Sequence, residues 1–121
     1  MNFNFDNDRP IYIQLVEQLK IAIVSGKLTP GTKLPSVRDL ALQTKVNPNT
    51  MQKALLELEN QKLIYTERTN GKYITADKEL IEQAKMELAI QKVRSYLSDM
   101  EKLAISKEEA INYLHKLEGK E

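Results

Sequence analysis

Asn47-Pro48 is the sharpest structural signal in the chain, because it fixes where one helix must begin. An asparagine side chain accepts from the free N–H groups of a first turn. Proline at the first helical position gives up only an N–H that has no partner there. Val46 and Met51 stand at the positions of a hydrophobic staple around this start. Met51, Ala54, Leu55 and Leu58 then recur at three- and four-residue spacing, which predicts one buried stripe. At about 100° per residue, Asn49, Gln52 and Lys53 point away from it. A helix that is polar on one face from its first turn needs other elements to cover its stripe.

Those elements precede and follow it. Pro10 suits a first helical position, and Ile11, Leu15, Leu19, Ala22 and Ile23 form an amphipathic stripe that Ser25-Gly26 ends. Pro30-Gly31 is a turn signal. Ser36, with Asp39 three residues on, opens a short helix whose core face is Val37, Leu40 and Ala41. After the third helix, Leu63–Thr66 and Lys72–Thr75 are rich in β-branched and aromatic residues, and Asn70-Gly71 between them predicts a hairpin. From Asp77 a stretch without Gly or Pro reaches Gly119. In it Met86, Ile90, Val93, Leu97, Met100 and Ala104 alternate four- and three-residue steps, a heptad-like seam on a helix expected over 77 to about 104. Ser106 with Glu109 predicts a capping box for a last helix to about Leu117, with Ala110, Ile111, Leu114 and Leu117 as its stripe.

The fold class expected is mainly α with a small β-hairpin: a winged helix-turn-helix over residues 1–76, then a two-helix dimerisation tail over 77–121. A seam on a helix of about 40 Å has more apolar edge than one short partner helix covers, so Met86, Ile90, Val93, Leu97, Met100 and Ala104 are the candidate dimer interface. The chain has 121 residues and a net charge of only +1, a balance that conceals an uneven distribution. Residues 1–76 hold ten basic and seven acidic side chains, and 77–121 hold eight and ten. Between 33 and 56, Lys33, Arg38, Lys45 and Lys53 face Asp39 alone.

Catalysis and metal binding find little support. There is no cysteine, one histidine (His115, expected on an exposed face), no glycine-rich phosphate loop and no paired carboxylates. No cofactor is called for. No apolar run exceeds four residues, so no segment spans a bilayer, and the N-terminus lacks the apolar core of a signal peptide. The absence of cysteine fits a reducing cytoplasm. Two function classes remain, a DNA reader and a scaffold for protein interaction. In a winged helix-turn-helix the third helix enters a major groove about 12 Å wide, where Asn and Gln match adenine edges and Arg or Lys reach guanine or phosphate.

Particular residues sharpen the first of these readings. Pro10-Ile11-Tyr12-Ile13-Gln14-Leu15, Gly26-Lys27-Leu28-Thr29-Pro30-Gly31, Leu34-Pro35-Ser36-Val37-Arg38-Asp39-Leu40-Ala41 and Val46-Asn47-Pro48-Asn49-Thr50 resemble the N-terminal domain of GntR-family transcriptional regulators. Ala54-Leu55-Leu56-Glu57-Leu58 continues the match, which covers about residues 9–75. The short helical tail resembles the YtrA-like subfamily, since 45 residues are too few to enclose a metabolite pocket of a few hundred cubic ångströms. The resemblance implies a homodimeric, sequence-specific regulator that binds a double-stranded operator of inverted repeats, most simply as a repressor. It also implies a cytoplasmic, nucleoid-associated, bacterial protein, with any small-molecule effector left open.

By position, Arg38 is similar to the family's DNA-contacting arginine. Asn47, Asn49, Thr50 and Gln52 stand at recognition-helix positions used for base and phosphate contacts, and Gly71 stands at the wing tip. Lys33, Lys45 and Lys53 are expected at phosphates, and Arg68 and Lys72 flank a wing tip that can lie along a neighbouring groove or the backbone. Tyr12 and Gln14 are expected to be structural. Two residues depart from the family pattern: Lys62 replaces a glycine after the third helix, and Arg68-Thr69-Asn70-Gly71 replaces an Arg-Gly-x-Gly wing.

Overall fold

Three helices come first in the computed structural model, which describes residues 3–119. Helix α1 covers Ile11–Val24, α2 covers Val37–Thr44 and α3 covers Pro48–Asn60. Strands β1 (Ile64–Glu67) and β2 (Gly71–Ile74) pair antiparallel, and helices α4 (Lys78–Lys102) and α5 (Lys107–Glu118) follow. The chain divides into two compact units, one running to Lys85 and the other starting at Met86. This division falls inside α4, beyond the change of composition at Asp77. Ile81 and Ala84, in the first turns of α4, belong to the core of the first unit.

That core is built from the stripes. Leu15, Leu19 and Ile23 of α1, Leu40 and Ala41 of α2, and Met51, Ala54, Leu55 and Leu58 of α3 are buried together with Leu63, Ile64 and Ile74 of the hairpin. Both α1 and α2 pack on α3. The starts follow the expected chemistry. Asn47 Oδ1 accepts from Asn49 N–H at 2.7 Å, and Ser36 Oγ accepts from Asp39 N–H at 3.1 Å. At α5, Ser106 and Glu109 form the reciprocal capping box. Asp77 Oδ1 caps α4 by accepting from Leu80 N–H.

Four details differ from the sequence reading. Pro10 is the residue before α1, and its carbonyl accepts from Gln14 N–H. Ile11 is exposed, while Gln14 takes the buried place in that turn. The hairpin loop has three residues, Arg68, Thr69 and Asn70, because Gly71, with φ +110°, already pairs with Glu67. Helix α4 stops at Lys102, so Ala104 lies beyond it and off its seam. There Ala104 takes a left-handed φ of 62° and lets Ile105 N–H reach Met100 O, a Schellman ending.

Helix α3 ends in the same way. Lys62 has φ 65°, Lys62 N–H donates to Glu59 O, and Leu63 N–H donates to Leu58 O, while both leucines lie in the core. The lysine that departs from the family's glycine thus occupies a left-handed position, at which a side chain costs about 1–2 kcal/mol. Both hydrogen bonds of the ending form nonetheless, with Leu58 and Leu63 buried in the core.

Candidate nucleic-acid interface

The interface is assembled from the first turns of α2 and α3 and from the hairpin. Capping determines where these turns start, and the core determines which side chains they expose. Arg38, second in α2, is exposed, and so are Asn47, Asn49, Gln52 and Lys53 of the α3 start; Thr50 is half-buried. Asn47 uses its side-chain oxygen on the cap. Lys45 sits between the two helices with a left-handed φ of 60°. Among the described residues, Lys33, Arg38, Lys45 and Arg68 are exposed and make no ion pair, so their charge is available to a polyanion.

The hairpin is tied to the helices on two sides. Leu34 N–H donates to Lys72 O at 2.8 Å and Ile74 N–H to Thr32 O at 2.9 Å, so the segment before α2 runs alongside β2. Gly71 has a φ of +110°, a backbone conformation that favours glycine, and a side-chain carbon there would also lie 3.3 Å from the flexible end of Lys33, at Cε. A cleft of about 600 Å³ separates segment 33–39 from the wing, with Lys33, Ser36, Arg68 and Asn70 on its walls.

Lys72 is placed differently from the sequence expectation. Its ammonium lies 3.0 Å from Glu59 Oε1 on α3 and 2.9 Å from Thr66 Oγ1, and its side chain is only 16 % exposed. Thr66 also donates to Glu59 Oε2 at 2.6 Å. The Thr66 hydroxyl first, and then the Lys72 ammonium, hold the Glu59 carboxyl below the usual carboxylate range, against the opposing effect of burial. Lys72 is therefore satisfied within the protein, where it joins the hairpin to α3.

Two further contacts escaped sequence reasoning. Lys53 Nζ lies 4.8 Å from the centre of the Tyr12 ring, a cation–π contact between α1 and α3. Gln14 is buried and fully used: Oε1 accepts from Asp6 N–H, and Nε2 donates to Asp6 O and Arg9 O. Gln18, one turn on, brackets Asn4 in the same fashion. The residues before α1 are thus laid along it by two glutamines. The only trace of this in the sequence is the four-residue spacing of the glutamines.

The second unit carries a different kind of surface. Met86, Ile90 and Val93 are about half exposed, and Leu97 and Met100 are half-buried. On α5, Ala110 is buried and its carbonyl accepts from Tyr96 Oη, whereas Ile111, Leu114 and Leu117 are exposed. His115 is exposed, 3.2 Å from Glu118. Among the described residues no group of three or more acidic or histidine side chains is placed to hold a metal. No described helix is long and apolar enough to cross a membrane.

Three helices with a hairpin behind the third form a winged helix-turn-helix. The sequence profile of the bacterial regulatory proteins of the gntR family matches residues 11–74, and the chain belongs to that family. It is 37 % identical over 111 residues to the HTH-type transcriptional regulator YhcF of Bacillus subtilis, covering 92 % of each chain. It is 40 % identical over 91 residues to the HTH-type transcriptional repressor YtrA of the same species, covering 74 % of this chain and 70 % of the repressor. These relatives agree with the YtrA-like subfamily. Among solved structures, a GntR-family transcriptional regulator from Listeria monocytogenes is 46 % identical with a TM-score of 0.86, over 93 % of this chain and 98 % of the other. The DNA-binding domain of AraR, solved in complex with operator ORX1, is 28 % identical with a TM-score of 0.56, over 62 % of this chain and 96 % of that one. The protein is a DNA-binding transcriptional regulator of this family.

Proposed function

We propose that the chain acts as a homodimeric repressor that binds an inverted-repeat operator, with one recognition helix α3 in each half-site. The observation that carries this is the junction of the first turns of α2 and α3, where Arg38, Asn49 and Gln52 stand exposed and without structural duties. In this reading all three contact DNA, with Asn49 and Gln52 matched to adenine edges and Arg38 to guanine or phosphate. Asn47, Thr50, Lys33, Lys45, Lys53 and Arg68 lie at the sugar-phosphate backbone, with Gly71 allowing the wing to approach. Lys72 holds the wing on α3. The face of Met86, Ile90, Val93, Leu97 and Met100 meets the same face of a second copy, which sets half-site centres about one helical turn apart. Repression is the sign that the YtrA relative's name supports.

Selection of bound duplexes from a random pool, followed by titration, tests this. We expect enrichment of an inverted repeat, and a fall of log affinity linear in log salt concentration. Arg38→Ala should weaken binding to the selected duplex by about 1–3 kcal/mol and leave the thermal midpoint unchanged. Recovery of no preferred sequence, with affinity indifferent to salt, would show instead that the helices are a scaffold for protein contacts.

A further inference from the structure

We infer that Tyr12 is a positioning residue for DNA binding, holding the Lys53 ammonium on the exposed face of α3 ready for a phosphate of the duplex. The inference rests on the operator-reading function proposed above and adds α1 to the elements that serve it. Lys53 lies one residue past Gln52 and four past Asn49, so at helical spacing it shares their exposed side. A lysine at such a site ordinarily samples many rotamers, and fixing it on binding costs entropy. Here its Nζ lies 4.8 Å from the centre of the Tyr12 ring. An aromatic face is a suitable anchor for this purpose. It attracts the cation without neutralising it, as a carboxylate would, and it occupies one side of the ammonium while leaving N–H groups for a phosphate.

The ring is itself fixed. Tyr12 is half-buried and packs on the core, in the first turn of α1. Two residues on, buried Gln14 takes three hydrogen bonds from and to the backbone of Asp6 and Arg9, which locks the entry to that turn. Placement therefore runs from Gln14 to the first turn of α1, from there to the Tyr12 ring, and from the ring to Lys53. No carboxylate competes for this cation: among the described residues Lys53 makes no ion pair.

The test is a double-mutant cycle on the full-length protein and one selected duplex, read by fluorescence anisotropy across a salt series. Tyr12→Leu should weaken binding roughly two- to five-fold per half-site, the size of an exposed cation–π contact, and keep the salt slope because the lysine charge remains. Tyr12→Phe should bind like the unmodified protein. Lys53→Ala should weaken binding and lower the salt slope by about 0.9 per lost phosphate contact. In the Lys53→Ala background, Tyr12→Leu should cost nothing more. An equal loss in that background would assign Tyr12 a role independent of Lys53. Tighter binding by Tyr12→Leu would mean that the ring holds the lysine away from DNA. Either result overturns the inference.

Proton NMR of the unmodified protein checks the geometry without any risk to folding. The Lys53 Hε resonances should shift upfield under the ring current, keep that shift in Tyr12→Phe, and an unshifted signal contradicts the proposal. Failure of the unmodified protein to bind any duplex would instead strike the operator-reading function itself, which separates the two outcomes.

Discussion

The two units of this molecule use the same sequence device and arrive at opposite surfaces. In the first, apolar residues at helical spacing close on one another: Leu15, Leu40, Met51 and Leu58 are all 0 % exposed. In the second, equally regular stripes stay in contact with water, with Val93 54 % and Leu114 50 % exposed. Periodicity announces that a face will be buried, but not by what. The first unit contains three stripes and a hairpin that complement each other. The second contains the rest of α4 together with α5, joined by an ending at Ala104, with Ala110 as the buried apolar residue among those described. In our reading the missing cover is a second copy of the chain.

The largest effect expected breaks that cover. Val93→Asp would place a charge in the seam. We expect sedimentation to show a monomer, and operator affinity to fall by about 100-fold or more as the linkage between half-sites is lost, with the first unit still folded. A dimer that survives would move the interface elsewhere. Next comes a matched pair of truncations. Leu58→Ala should cost about 2–5 kcal/mol of unfolding free energy at any protein concentration, since it opens a cavity in a closed core. Leu114→Ala should leave the first unit's melting unchanged, and any loss it causes should depend on protein concentration. Identical, concentration-independent losses would erase the distinction between the units.

Glu59→Gln sharpens the account of the first unit. It leaves Lys72 without its carboxylate, at a cost of about 1–3 kcal/mol. The folded carboxyl is held below its ordinary range, so its contribution is fully present above the unfolded pKa and is lost as pH falls through the folded one. The variant should therefore flatten the acid limb of the stability–pH curve, and an unaltered limb would discount the pair. The smallest effect is a gain. Lys62→Gly relieves a left-handed side chain and should raise stability by about 0.5–1 kcal/mol after the extra chain entropy of glycine.

The helix starts were legible because caps act within one turn: Asn47-Pro48, Ser36 and Ser106 each announce themselves in four residues. Leu63–Thr75 was legible as a hairpin for the same reason, although Glu67 and Gly71, left between the strands by the sequence pattern, pair within them. The contacts that were not legible join residues far apart in sequence and carry no period. Gln14 and Gln18 bracket the backbone of residues 4–9, Lys33 runs beside Tyr73, and Lys53 finds Tyr12. Lys72 is the instructive case. Its charge and its wing position suggested DNA, but the decisive partner was Glu59, thirteen residues away on a different element.

In our reading the two units divide the labour: the first reads a half-site and the second pairs two readers. The mass of the complex formed on a selected inverted-repeat duplex, measured by sedimentation equilibrium with the full-length chain, tests this directly. Two chains per duplex, assembling as a unit and reverting to one poorly bound chain in Val93→Asp, is the predicted result. A single chain per duplex, or two that bind independently with undiminished affinity in the variant, would contradict it.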